Sequence, residues 1–180
     1  MIKKTLIVLF CFFNIISLVY LIRPTPIPPD LANSIKSDEP GDTVQLKNVS
    51  AYYTNMTRTE VMNFYKAYYS GPFRVIINHP PEKSKEIIKD TIQSYYLEEY
   101  ILPFKESLYI NGFEWENDVF TKPENRVKNK LIFKGKEYKA KVTIKTFPTS
   151  IPKRIAAFLF TEGVIIFTIF SYKSFLSKKR

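Results

Sequence analysis

The sequence predicts a small α+β domain carried between two membrane-spanning helices, and three observations predict it. Two apolar runs lie near the two ends of the 180-residue chain. The stretch between them is mixed and polar, with some segments alternating at period two and others repeating at helical spacing. Charge is divided in the same way. Eight of the 27 basic residues (Lys3, Lys4, Arg23, Arg154, Lys173, Lys178, Lys179 and Arg180) sit in or beside the apolar runs, with only Glu162 of the 17 acidic residues among them.

The first run, residues 5–22, contains no charged residue; the second, residues 155–172, contains one, Glu162. At 1.5 Å per helical residue, each is about long enough to cross a hydrocarbon core of ~30 Å. A cleaved signal peptide is the rival reading of residues 5–22. The run exceeds the usual apolar core of ~7–15 residues, and no small-x-small cleavage site follows it directly, so it reads as an anchor. Lys3 and Lys4 precede it and only Arg23 immediately follows; Lys153 and Arg154 precede the second run, and Lys173, Lys178, Lys179 and Arg180 follow. Lysine and arginine accumulate on cytoplasmic flanks. Both flanks therefore predict cytoplasmic termini and a central domain outside the cytoplasm, in the cell envelope. The expected organisation is a helix over 1–22, a Pro-rich linker over 23–42, the exterior domain over 43–153, a second helix over 154–176 and a basic tail over 177–180.

Glu162 is costly where it lies. A charge at mid-span costs roughly 2.5–3.5 kcal/mol, while the ten large apolar residues of its run return roughly 3–6 kcal/mol, so insertion wins narrowly and a partner would widen the margin. Asn14 is the expected partner. With both termini on one side, Asn14 and Glu162 lie ~14 and ~15 Å of helix from the same membrane face. The two are expected to form a helix–helix contact, within one chain or between copies.

Within the domain the elements follow in order. Residues 43–54 alternate with a slip near Lys47-Asn48, which predicts a strand with a bulge. Thr57 and Glu60 have capping-box spacing before a helix bearing Val61, Phe64, Tyr65 and Tyr68, stopped at Gly71-Pro72. Residues 73–78 read as a short buried strand. Pro80-Pro81 opens a second expected helix from about Glu82, with Ile87, Ile88, Ile92 and Tyr95 or Tyr96 on its apolar face, ending by Pro103. Residues 107–115 read as a strand interrupted at Asn111-Gly112, or as a hairpin there. Residues 131–147 read as a hairpin turning near Lys134-Gly135-Lys136. Its second arm has Tyr138, Ala140, Val142 and Ile144 on one face and Lys139, Lys141, Thr143 and Lys145 on the other. The predicted order is β-α-β-α-β-β-β around a mainly antiparallel sheet.

The net charge of +10 does not describe a nucleic-acid groove. Between the anchors 19 basic residues face 16 acidic ones, so the electrostatic footprint of a phosphate-tracking surface is missing and no nucleic-acid partner is expected. The lysine face of Lys139, Lys141 and Lys145 is a candidate binding surface for an anionic polymer or lipid headgroup; its bland reading is a solvated strand face. The single cysteine, Cys11, lies in the first anchor, which leaves the domain without a thiol or a disulfide. His79 is the only histidine, without nearby ligands or a nucleophile signature, and a turn or cap role before Pro80-Pro81 is expected of it. Glu98 and Glu99, as helix neighbours, point apart; Glu114 and Glu116 share a strand face but lack an opposing wall. Ten domain tyrosines read mainly as core residues with wet hydroxyls. Asn48-Val49-Ser50 and Asn55-Met56-Thr57 match glycosylation sequons.

His79-Pro80-Pro81-Glu82, Leu97-Glu98-Glu99, Pro103 and the stretch Glu106-Ser107-Leu108-Tyr109-Ile110-Asn111-Gly112-Phe113 resemble uncharacterised membrane-anchored proteins from bacterial genomes. The resemblance spans residues 79–113 and implies origin and topology, with no activity attached. The layout of two anchors, with prolines before the second, is similar in architecture to polysaccharide chain-length regulators, and layout alone carries no function. The expected function is that of a non-enzymatic envelope protein: an assembly, scaffold or binding subunit without a cofactor. Its partners would be the lipid bilayer and either further copies of itself, as a homo-oligomer, or another membrane protein. The alternatives are an envelope enzyme acting on lipid or glycan through carboxylates, and an ion- or proton-linked subunit using Glu162.

Overall fold

The computed structural model describes residues 2–25, 27–40, 42, 47–69, 73–87 and 94–178. They fall into two compact units: residues 1–25 with 149–180, and residues 26–148. The first unit consists of helices α1 (Ile2–Ile22) and α4 (Ile151–Lys178). Both are long and apolar enough to cross a membrane, with mean hydropathies of 2.6 and 1.9 over the two candidate spans. Nearly every side chain along them is exposed, as expected of surfaces that lipid would cover.

The second unit is the α+β domain. Its described strands are β1 (Ser34–Lys36), β2 (Val49–Thr54), β3 (Val75–His79), β4 (Tyr96–Leu102), β5 (Glu106–Glu114) and β8 (Ala140–Pro148), with β6 (Leu131–Phe133) and β7 (Lys136–Tyr138) between the last two. Six of them form one antiparallel sheet in the order β1-β2-β8-β5-β4-β3; β6 and β7 form a separate hairpin. The hairpin turns at Lys134 and Gly135, both at positive φ (49° and 76°), the combination a tight two-residue turn needs.

Helix α2 (Arg58–Tyr68) covers one face of the sheet. Its start is set by the expected capping box: Glu60 Oε2 accepts from the Thr57 backbone N–H at 2.7 Å and Thr57 Oγ1 accepts from Glu60 N at 3.4 Å. Val61, Tyr65 and Tyr69, one turn apart, are fully buried against Tyr52, Tyr96, Tyr100, Leu108, Ile110, Val142 and Ile144. Burial of such side chains contributes roughly 1.5–3 kcal/mol each. A second cluster forms on the other face, where Phe133 of the hairpin stacks on Tyr53 at 4.5 Å.

Five expectations change. The second helix is confined to a 3₁₀ turn (Pro81–Lys83) and α3 (Ser84–Ile87); Ile88 and Ile92 fall outside the described residues, and Tyr96 begins the inner strand β4. There each glutamate of Leu97-Glu98-Glu99 faces a partner on a different side of the sheet, so strand burial becomes tolerable. Residues 75–79 form an edge strand whose side chains at 75–78 are exposed; among the described residues no further strand pairs beyond it. Asn111-Gly112 does not interrupt β5, which runs unbroken from Glu106 to Glu114. Within the Pro-rich stretch, β1 pairs with β2 and Leu31 enters the core, so part of that segment is folded. The slip near Lys47-Asn48 is a turn with Asn48 at φ 64°; residues 43–46 and Gly71-Pro72 lie outside the described residues.

Candidate functional site

Strand alternation sends Glu98 to the helix-covered face and Glu99 to the opposite one. Glu98 pairs with Arg58, whose guanidinium also lies 5.4 Å from the Tyr96 ring centroid. Glu99 stands opposite Ile77 of β3 and Tyr109 of β5. His79, two residues on from Ile77, shares that face, and its Nε2 lies 2.9 Å from Glu99 Oε2. The Glu99 side chain is 9% exposed and that of His79 is 20% exposed. Burial and a hydrogen bond to Glu99 push the Tyr109 hydroxyl up to about 12.

Aromatic contacts extend this cluster. The His79 and Tyr109 rings stack at 6.0 Å, Phe147 meets Tyr109 edge-on at 5.3 Å, and Lys145 Nζ lies 5.4 Å from the Phe147 centroid. Tyr109 and Lys145 are cross-strand partners between β5 and β8. The chain's only imidazole is thus oriented by a buried carboxylate on a half-open face that combines aromatic surface with one ammonium group. Such a pair can hold or pass a proton, and the rings beside it can pack against a ligand. Among the described residues, no group of three or more His, Cys, Asp or Glu side chains is arranged to hold a metal ion.

The predicted lysine surface is divided rather than continuous. Lys139 is exposed just before β8 and uses its backbone N–H on Asn55 Oδ1 at 3.0 Å. Lys141 is half-buried between Asp42 at 2.8 Å and Glu39 at 3.2 Å, and lies over the Tyr53 ring at 5.2 Å. Burial alone would lower its ammonium pKa, but the hydrogen bond and charge of Asp42, with help from Tyr53 and Glu39, leave it raised. Tyr53 donates to Glu39 at 2.5 Å and Ser37 to Asp42 at 2.5 Å, so Lys141 ties Ser37, Glu39 and Asp42 to the sheet. Of the three lysines, only Lys145 joins the His79 cluster.

In the helical unit, Asn14 and Glu162 are both half-buried on helices that are otherwise largely exposed. Asn14 Nδ2 donates to Phe10 O of its own helix at 3.0 Å, and among the described residues no hydrogen bond joins it to Glu162. A polar contact between the ends of α1 and α4 is made by Arg154, 5% exposed. Its Nη1 donates to Leu21 O at 3.3 Å and Arg23 O at 3.2 Å, and its Nε to Thr149 O at 2.6 Å. It therefore satisfies carbonyls left open where α1 ends.

Sequence reasoning missed the His79–Glu99 pair and the Arg154 clasp. The pair depends on the register of two strands, one of them read as a helix. In the sequence Arg154 reads as a flanking charge, although an arginine one turn into an apolar helix is itself a signal that carbonyls or anions lie near. No family model matches the chain, and no curated protein or solved structure matches it.

Proposed function

We propose that this chain is a two-pass membrane protein of the cell envelope, with both termini in the cytoplasm, whose exterior domain serves as a non-enzymatic assembly or binding subunit. The observation that carries the reading is the β3 edge. Val75, Ile76 and Ile77 are 46%, 44% and 37% exposed, beside the half-open His79–Glu99–Tyr109 face. A strand edge with consecutive exposed apolar residues is a template for pairing, and monomeric domains usually guard such edges. The occupants that fit are a second copy of this chain or another envelope protein. The native mass of the protein in mild detergent tests this, with wild type beside Ile77→Lys. A discrete assembly that falls apart in a folded Ile77→Lys variant is expected; a wild-type monomer would sink the reading.

The orientation rests on the lysine and arginine flanks. A cysteine introduced as Lys139→Cys should react with an impermeant maleimide on intact cells. Labelling only after lysis would reverse the topology.

A second reading is favoured by the His79–Glu99 geometry: an envelope enzyme acting on lipid or glycan, with the imidazole as acid–base group and Glu99 as its orienting carboxylate. Its requirement is a bound substrate within reach of His79, which a glycan or phospholipid array probed with wild type and His79→Gln would reveal.

A further inference from the structure

The Arg154 clasp has capacity left over. A guanidinium carries five N–H donors. Nε–H and both hydrogens of Nη1 are directed at the carbonyls of Thr149, Leu21 and Arg23, which accounts for three of the five. By bonding to Arg23 O, Arg154 also joins the ends of the two anchors, where the exposed residues Arg23 and Lys153 lie. Neither of these makes an ion pair among the described residues. The only acidic residue in residues 1–25 and 149–180 is Glu162, eight positions beyond Arg154 and ~12 Å along the helix. Three basic residues thus lie at one end of a helix pair, at the depth where an apolar span gives way to polar chain, and the one acid of residues 1–25 and 149–180 lies about two turns away.

We infer that Arg154, Arg23 and Lys153 form a binding site for the phosphate of an anionic phospholipid headgroup. The inference rests on α1 and α4 spanning a bilayer, but not on what the central domain binds. The acceptor has to be anionic because a neutral one would leave three clustered cations uncompensated in a poorly solvated zone. It has to offer planar or tetrahedral oxygens because the guanidinium presents its remaining donors in a fixed fork, the geometry that matches phosphate. A lipid source fits better than free phosphate because the site lies at the ends of membrane-length apolar helices, where headgroups are the concentrated phosphate. Basic pockets between membrane helices select anionic headgroups by the same means.

The test uses the full chain in mild detergent, titrated with phosphatidylglycerol or with phosphatidylcholine of the same acyl chains, with bound lipids counted by native mass spectrometry. Wild type should retain phosphatidylglycerol about fivefold or more over phosphatidylcholine, since each cation near the surface is worth ~1 kcal/mol. Arg23→Gln/Lys153→Gln leaves the clasp intact and should bring retention close to the phosphatidylcholine level. Arg154→Lys, which keeps the charge and loses the fork, should fall by about threefold. Equal retention of the two lipids by wild type would overturn the inference. So would a preference that survives Arg23→Gln/Lys153→Gln but is lost in Lys173→Gln/Lys178→Gln, which would move the site to the opposite end. Millimolar inorganic phosphate should leave the preference unchanged; if it abolishes it, the site belongs to free phosphate. If the protein leaves cell membranes in alkaline carbonate, the spanning reading itself fails, independently of these outcomes.

Discussion

Gly112 and Tyr96 stand directly opposite each other in the β4–β5 ladder, and the tyrosine ring lies across the glycine. A Cβ at position 112 would overlap Cε1 and Cζ of Tyr96. That ring cannot swing away, because Tyr96 is 2% exposed within the core. Gly112→Ala should therefore destabilise the domain by about 1–3 kcal/mol through overpacking. Adding Tyr96→Leu should return part of that loss, since the smaller side chain frees the space. Urea midpoints of the four proteins measure this; equal losses in Gly112→Ala with and without Tyr96→Leu would show that the ring is not the obstacle.

The core tyrosines differ in what their hydroxyls reach, which separates substitutions that look alike in the sequence. Tyr65 and Tyr96 bury hydroxyls that meet no hydrogen-bond partner among the described residues, whereas the Tyr69 hydroxyl donates to buried Glu106. Tyr65→Phe should be neutral or stabilising by up to about 1 kcal/mol, and Tyr69→Phe should cost about 1.5–3 kcal/mol because it leaves a buried carboxylate short of a donor. A loss above ~1 kcal/mol in Tyr65→Phe would mean that a buried water meets its hydroxyl.

Alkaline pH should loosen the domain before it affects an ordinary tyrosine-rich chain. Tyr53, Tyr100 and Tyr109 are each pushed up to about 12, chiefly by burial; a hydrogen bond to a carboxylate adds to this at Tyr53 and Tyr109. An unfolded tyrosine titrates near ~10. Between these values the folded state holds more protons than the unfolded one, so stability falls as pH rises. The contribution is complete below about pH 10 and is lost by about pH 12. Tyrosinate absorbance followed with far-ultraviolet circular dichroism should show ionisation and unfolding together in that window, and Tyr109→Phe should flatten the slope. Independent ionisation near pH 10 with the fold retained would contradict the burial of these hydroxyls.

Lys141 and Lys145 occupy equivalent positions on one strand face, but should respond differently to loss of charge. Lys141→Gln removes the cation held by Asp42 and Glu39 and should cost about 1.5–3 kcal/mol, with faster proteolysis within residues 37–42. Lys145→Gln breaks no ion pair among the described residues and should stay within about 0.5 kcal/mol of wild type. Limited proteolysis of both variants beside wild type measures the difference. Equal cleavage rates would mean that residues 37–42 are held by other contacts.

The legible and illegible parts of this fold divide along sequence distance. The capping box at Thr57 and Glu60, the Lys134-Gly135 turn and the alternation of Ala140, Val142 and Ile144 are local signals, and each lies where its pattern put it. The segment at Leu97-Glu98-Glu99 carries strong helix formers, so propensity favours a helix. Its strand state depends on Arg58, 40 positions away, and His79, 20 positions away, each supplying a partner for one glutamate. The same long range hid the candidate site: His79 has no local ligand, and only the β3–β4 register brings Glu99 beside it. In the Pro-rich stretch, prolines suggested an extended spacer, while Leu31 and a short pairing with β2 fold part of it onto the sheet.

Asn14 and Glu162 are the remaining polar pair, and the clasp fixes their depth. Arg154 bonds to Leu21 O, seven residues after Asn14 on α1, and Glu162 follows Arg154 by eight residues on α4. Those offsets are ~10 and ~12 Å of helix, so the two side chains lie at nearly the same level. Asn14 spends one amide hydrogen on Phe10 O and keeps a second. A contact with the Glu162 carboxyl, in the same chain or across an assembly, should appear as coupling between Asn14→Leu and Glu162→Leu. In a double-mutant cycle of detergent stability the coupling should be about 0.6–1.7 kcal/mol, the range for interhelical polar contacts in a membrane protein. The single Glu162→Leu variant should by itself be more stable in the bilayer, because it removes the costliest residue of the span. Additive effects would show that Asn14 is satisfied within its own helix and that Glu162 is borne by the apolar residues around it.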